Sequence, residues 1–245
     1  MIDNPEQRSL DWFRKRLGNF TGSRVGDLMT KGKKKDEPFS QTALGYIAEV
    51  AAERLLSDDV VNDDDLMQEY IYQTSFVTNA MRWGIEQEES ARELYQQQTG
   101  RHIIEVSSCA HKEIANFASS PDGFFYDENV PEKGCLEIKC PNLKTFVNYV
   151  ANIKDNESLA LVEPKYYWQC MAHMACVGAD WCDFIAYNPF AKHPLHIVRI
   201  NRAEDAIREL EGRVILADLR ADTIIEKYNS NVNANGKIDR EHMSE

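Results

Sequence analysis

Ser120-Pro121-Asp122-Gly123 and, further on, Leu136-Glu137-Ile138-Lys139-Cys140-Pro141 decide how this chain is read. The first stretch is a turn feeding a short apolar run, Gly123-Phe124-Phe125-Tyr126, and the second is strand-like. Side chains two apart on a strand share a face, so Glu137 and Lys139 point together while Leu136 and Ile138 point the other way, into a core. Asp122 precedes Glu137 by 15 residues, enough for a hairpin that brings both carboxylates together. Two carboxylates beside an ammonium suit Mg²⁺, which takes one or two protein carboxylates plus waters and phosphate oxygens. The lysine would stand near an attacking water and a phosphate and stabilise the charge that develops there. The competing reading is a surface Glu-x-Lys on a two-sided strand, because the pattern is loose and has many chance matches.

Upstream, residues from Thr78 to Gln98 have helical spacing and end at Gly100, a C-terminal stop. Advancing about 100° per residue puts Glu88 within about 20° of Met81, inside a stripe with Gly84, Ile85, Ala91 and Tyr95. Glu86, Glu89 and Glu93 fall on the outer face. A carboxylate on the buried face must be paired or bind metal. Arg92 offers an i,i+4 ion pair, so both readings stay open.

Further out, Glu6 to Met29 reads as two helical pieces broken at Gly18, with Thr21-Gly22-Ser23 as N-cap chemistry for the second. Lys31-Gly32-Lys33-Lys34-Lys35-Asp36 is a basic loop, either a solvated surface or a phosphate contact. Ser40 to Leu56 is a long helix, and Asp58 to Asp65 is acidic and turn-like. Strand-like runs cover His102–Val106, Asn116–Ala118, Gly123–Tyr126, Cys135–Lys139, Trp181–Tyr187 and Leu195–Ile200. Tyr166 to Val177 is a core helix on which Gln169 and His173 share a face, either as satisfied core polar groups or with Gln169 lining a metal cleft. Ile207, Leu210, Val214, Ala217, Ala221, Ile224 and Tyr228 mark a final amphipathic helix. The order suggests one α/β domain over residues 1–228 around a central sheet, with a flexible polar tail over 229–245.

The composition is that of a globular protein: 43% hydrophobic and 28% charged over 245 residues. With 28 Lys and Arg against 40 Asp and Glu, the net charge of −12 argues mildly against non-specific DNA coating, although a local basic track on an acidic body is compatible with a nuclease. The N-terminus has no signal-peptide pattern and no run is long enough to span a membrane, so a cytoplasmic protein with six reduced cysteines is expected. Cys170, Cys176, Cys182 and His173 suit no common zinc knuckle, and the lack of any cysteine before Cys109 argues against a four-cysteine iron–sulfur cluster.

Four stretches together carry a resemblance. They are Trp12-Phe13-Arg14-Lys15-Arg16-Leu17-Gly18 with Thr21-Gly22-Ser23; Met81-Arg82-Trp83-Gly84 through Glu88 to Ala91; the Ser120–Gly123 and Leu136–Pro141 pair; and Tyr166–Gln169 with Tyr187-Asn188-Pro189. In this order the chain resembles the phage recombination exonucleases typified by lambda exonuclease, the YqaJ-type branch of the PD-(D/E)xK nucleases. The resemblance implies a restriction-endonuclease-like core, a central mixed β-sheet flanked by helices. It implies that Asp122, Glu137 and the Ile138 carbonyl ligate Mg²⁺ (two ions, with Mn²⁺ as a substitute) and that Glu88 completes the site directly or through water. Lys139 would position the hydrolytic water and Gln169 would support the site; Arg16, Ser23 and Ser120 would bind a 5′-terminal phosphate. Read without the resemblance, Arg16 is a solvated helix residue, Ser23 an N-cap and Ser120 a turn residue.

The implied activity is 5′→3′ digestion of one strand of linear double-stranded DNA, leaving 3′ single-stranded tails. The implied partners are that DNA, a single-strand annealing protein and further copies of the chain in a trimeric ring, with no membrane. Arg14, Lys15, Arg16 and the Lys31–Lys35 loop would build part of a basic channel. Two departures from the family pattern stand out: Lys112 with Glu113 lies where the family has a further acid, and Gly22 replaces a usual alanine. The alternatives are an endonuclease on the same core, for which no base-reading element is identified, and a catalytically silent DNA-binding protein of that fold. A small-molecule enzyme lacks support from any Gly-rich phosphate loop or nucleophile elbow.

Overall fold

A computed structural model of the chain describes residues 7–32, 37–74 and 78–242, with side chains up to residue 232. The N-terminal part holds α1 (Leu10–Arg16), β1 (Phe20–Thr21), α2 (Val25–Leu28), α3 (Gln41–Glu53), α4 (Asp58–Asn62), α5 (Asp64–Thr74) and α6 (Asn79–Thr99). Strands β2 (Cys109–Ala110), β3 (Phe117–Ser119), β4 (Gly123–Phe125) and β5 (Gly134–Lys139) follow. The chain then runs through α7 (Leu143–Asn152), α8 (Asn156–Val162), α9 (Pro164–Val177), β6 (Trp181–Tyr187), β7 (Leu195–Asn201) and α10 (Glu204–His242).

The mixed α/β architecture agrees with the sequence, but the strands divide into two sheets. A four-stranded sheet has the order β4-β5-β6-β7, antiparallel except for the parallel β5–β6 pair. A three-stranded sheet has the order β1-β3-β2, with β1 parallel to β3. Both faces of β5 are covered. Leu136 and Ile138 pack with Ala91 and Tyr95 of α6 and with Ile185 of β6. On the opposite face, Cys135 joins the larger core formed with Cys170, Met171 and Met174 of α9 and Leu210 and Val214 of α10. Burying each such leucine or isoleucine stabilises the fold by about 1.5–3 kcal/mol. Glu137, on the larger-core face, is therefore fully buried rather than on a solvated strand surface.

Helix ends follow local chemistry. Thr78 Oγ1 accepts the Met81 N–H at 3.1 Å, and Gly100 in the left-handed region (φ 69°) ends α6 where the sequence places its stop. The acidic run from Asp58 forms helix rather than a turn: Ser57 caps α4, and Asp58, Asp59, Asp64 and Asp65 sit in the first turns of α4 and α5, where the helix dipole favours negative charge. Thr21 lies in β1 and the helix after it starts at Val25 without a side-chain cap, so the Thr21–Ser23 stretch is not its cap. Of the expected strand at His102–Val106 only a bridge between Ile104 and Phe124 forms. The stripe on α6 is buried only at Ala91 and Tyr95; Met81 and Ile85 are 53% and 42% exposed. The last helix continues past Asn229 to His242. No helix among the described residues is long and apolar enough to cross a membrane.

Candidate active site

The turn before β4 and the end of β5 meet through backbone bonds. The Asp122 N–H donates to the Leu136 carbonyl at 3.0 Å, and Asp122 Oδ2 accepts the Ile138 N–H at 2.6 Å. Gly123 follows because a Cβ there would overlap Ile103. Glu137 Oε1 is ion-paired with Lys139 Nζ, and Oε2 accepts from His173 Nε2 at 2.6 Å. Lys139 also lies over the Tyr166 ring at 4.7 Å. The two carboxylates and the lysine thus come together, as the sequence spacing allows.

Their charges are strongly coupled. Burial, then repulsion from Glu137 and Glu88, raises the pKa of Asp122 well above the ordinary carboxylate value. Burial also opposes ionisation of Glu137, but the Lys139 ammonium and the His173 N–H outweigh it, so the Glu137 pKa lies below its ordinary value. Burial opposes the charge on Lys139, yet Glu137 and Asp122 overcome it and raise the lysine pKa. Lys139 is therefore an ammonium at neutral pH, suited to stabilising negative charge and not to accepting a proton. One extra cation between Asp122 and Glu137 would relieve the repulsion that keeps Asp122 from ionising.

The donors fit such an ion. Asp122 Oδ1 makes no hydrogen bond among the described residues, and Glu137 Oε1 has only its ion pair with Lys139. These oxygens and the Ile138 carbonyl are hard ligands, and Mg²⁺ needs only one or two protein carboxylates. No three His, Cys, Asp or Glu side chains converge as a ready-made cage among the described residues. Glu88 is held by arginines. Its Oε1 pairs with Arg92 Nη2 at 3.0 Å and its Oε2 with Arg8 Nη2 at 2.7 Å, leaving the side chain 13% exposed. Arg92 also bonds Glu105 at 2.5 Å and the Asp122 carbonyl at 3.1 Å, tying α6 to the Asp122 turn. Gln7 Nε2 donates to the carbonyls of Val106 and Pro121, which straps the N-terminal segment to the same turn. Arg8 carried no sequence signal, because its partner is 80 residues away. Gln169 is buried one turn before His173 on α9 and makes no side-chain hydrogen bond among the described residues.

Beside this cluster, Arg16, Ser23 and Ser120 converge. Arg16 Nη1 donates to Ser120 Oγ at 3.0 Å and Nη2 to Ser23 Oγ at 3.2 Å, while the guanidinium lies over Trp12 at 4.3 Å. Arg16 forms no ion pair among the described residues, and burial lowers its pKa. A largely desolvated guanidinium held by two hydroxyls is well disposed toward an anion. Arg14 differs: it is tied to Asp11, Asp64 and the Val61 carbonyl and is not available for a basic channel. Lys31 is exposed, whereas Lys33, Lys34 and Lys35 lie outside the described residues. Lys112 and Glu113 are exposed in the turn before β3, where His111 pairs with Glu211 of α10. The six cysteines form no disulfide.

The domain family described as YqaJ-like viral recombinase domain matches residues 11–180. The fold is similar to the crystal structure of an alkaline exonuclease (LHK-Exo) from Laribacter hongkongensis, with a TM-score of 0.73 and 31% identity over 92% of this chain and 99% of that one. The same figures hold for LHK-Exo in complex with dAMP. A phage related exonuclease from Haemophilus somnus 129PT shares the fold at a TM-score of 0.61 and 15% identity, over 86% of this chain and 96% of that one. No curated protein shows significant similarity. With the family match spanning most of its length and a relative 31% identical along nearly all of it, the chain belongs to the YqaJ-like viral recombinase domain family.

Proposed function

We propose that the protein is a Mg²⁺-dependent deoxyribonuclease that digests one strand of linear double-stranded DNA from a 5′-phosphorylated end, 5′→3′, leaving 3′ single-stranded tails for homologous recombination. One observation carries this reading: an anion-seeking guanidinium, Arg16, is hydrogen-bonded to Ser23 and to Ser120, and Ser120 stands two residues along the chain from Asp122 with its partners Glu137 and Lys139. Membership of the family and the likeness to an alkaline exonuclease support it.

In this reading Arg16 binds the terminal 5′ phosphate with two parallel N–H donors, and Ser23 and Ser120 complete the pocket. Asp122, Glu137 and the Ile138 carbonyl hold the metal, with Mn²⁺ able to replace Mg²⁺ and a second ion accommodated. Glu88 takes part through water or after leaving Arg8. The metal supplies Lewis-acid stabilisation and lowers the pKa of water at the site. Lys139, charged and fixed by Glu137, stabilises the phosphorane-like charge as water attacks phosphorus and the 3′ oxygen leaves. Gln169 supports the strand end from α9. The same reading includes a single-strand annealing protein loading on the tail, a trimeric ring of this chain around the duplex, and work in the cytoplasm of a bacterial host.

The test is a linear duplex with a 5′ phosphate on one labelled strand, compared with its circular form, its 5′-hydroxyl form, EDTA, and Lys139→Ala. Loss of the phosphorylated strand alone, with the circle spared and the variant inactive, supports the proposal. Cutting of the circle moves the protein to the endonuclease reading, and no cutting with any metal removes the catalytic assignment.

A further inference from the structure

Behind Glu137 lies a chain of buried polar contacts that the activity itself does not call for. His173 Nε2 meets Glu137 Oε2 at 2.6 Å, and His173 Nδ1 meets Ser119 Oγ at 2.7 Å. Glu137 and Ser119 are wholly buried and His173 is 1% exposed, so no solvent can substitute for either bond. A serine hydroxyl that donates to Nδ1 leaves the ring proton on Nε2, where it donates to the carboxylate. The chain ends at Gly22. A Cβ there would overlap Ser119 Oγ and press on Ala172, and the Gly22 backbone cannot retreat because its N–H is bonded to the Ala118 carbonyl at 2.9 Å. The hydroxyl could escape a Cβ only by rotating off His173.

We infer that Gly22, Ser119 and His173 form a positioning chain that clamps Glu137 by Oε2 and so presents Oε1 to the metal and Lys139. This rests on the metal-site reading above. Gly22 provides space, Ser119 orients the imidazole, and His173 fixes the carboxylate; none of the three touches substrate. Glu137 would otherwise be free to turn both oxygens toward Lys139, and its metal affinity would fall. Partners of this kind behind a ligand typically change metal affinity by about 10–100-fold.

The experiment strips the full-length protein with EDTA and titrates it with Mn²⁺, following free Mn²⁺ by electron paramagnetic resonance. The kcat and KM for linear duplex DNA are measured on the same samples. His173→Leu is expected to bind Mn²⁺ about 10–100-fold more weakly and to lose kcat with KM for DNA unchanged. His173→Gln, whose amide nitrogen reaches the place of Nε2, is expected to recover most of both. Gly22→Ala is expected to weaken Mn²⁺ binding, and to have a clearly smaller effect in a Ser119→Ala background, where the overlapping hydroxyl is gone and only the looser contacts with the Cβ atoms of residues 119 and 172 remain. A folded His173→Leu protein with wild-type Mn²⁺ affinity, or equal losses in the Leu and Gln variants, would overturn the inference. If His173→Leu does not fold, equal effects of Gly22→Ala with and without Ser119 would overturn it. DNA digestion by the wild type alongside indifferent variants sinks the positioning chain alone; a wild type that takes up no Mn²⁺ sinks the metal-site reading and this inference with it.

Discussion

Asp122 and Ile138 are joined by a single hydrogen bond of 2.6 Å, side-chain oxygen to backbone N–H, and that bond orients a carboxylate that burial and its neighbours discourage from ionising. Asparagine at 122 would keep the bond and discard the charge. In metal-free protein the raised folded-state pKa of Asp122 means that stability is greatest below the ordinary value of 3.8 and declines as pH rises through the higher folded-state value. Asp122→Asn is therefore expected to melt no lower than the wild type in EDTA at neutral pH, while its nuclease rate falls by about 10²–10³-fold. Calorimetry and initial rates on linear duplex check the two halves separately.

In the proposed function Arg16 would act on the end of the DNA and not on the chemistry at phosphorus. Hydrogen bonds to a charged group contribute about 1.5–3 kcal/mol, so Arg16→Ala should lower the preference for 5′-phosphate over 5′-hydroxyl ends by about 10–100-fold. Rates of the variant on the two ends, divided by the wild-type ratio, give this number. A wild-type ratio in the variant would show that the phosphate is held elsewhere.

Asp27 gives a pH prediction away from the site. Burial opposes its charge, but Lys165 at 2.7 Å and Arg24 at 2.9 Å outweigh it and hold its pKa below 3.8. Its contribution to stability is complete above that value and is lost as pH falls through the folded-state pKa. Both partners are substantially exposed and screened, so Asp27→Asn should cost no more than about 1 kcal/mol at pH ~7. The difference should shrink in acid melts below the ordinary aspartate range; a penalty that persists there would rule out the ion pairs as its source.

Tyr95 donates to the buried Asp183 at 2.7 Å, and Asp183 is also gripped by Arg199, which stacks on Trp181 at 3.6 Å. Tyr95→Phe removes one donor from a buried carboxylate and should destabilise by about 1–2 kcal/mol. The nuclease rate should be retained, since Asp183 lies on β6 with the α6-side core and not with Glu137. Urea denaturation and a rate measurement on the same preparation test the separation.

What the sequence made legible was local. The Glu137–Lys139 pair, the span and stop of α6, and the strands β6 and β7 each follow from period or punctuation within a short window. Arg16, Ser23 and Ser120 were identified by resemblance, since 104 residues separate Arg16 from Ser120. Helices α7 and α8 fall outside the elements expected from the sequence, although Asn142 and the Asp155–Ser158 capping box mark their starts. Met81 and Ile85 look like core because their spacing is helical, but only the Ala91–Tyr95 end of α6 faces the sheet. Glu88 and His173 were visible as polar groups on apolar faces; what they bond to, Arg8 and Ser119, is set by tertiary contacts that no periodicity encodes.

Strand β5 is bonded on one edge to β4 and on the other to β6, and has packed side chains above and below. Such a strand has no route to fray by itself; its amides can exchange with deuterium only when the whole domain opens. Glu137 and Lys139 therefore lose their arrangement together with the fold and not before it. Heat inactivation of the enzyme and melting of the protein should trace one curve.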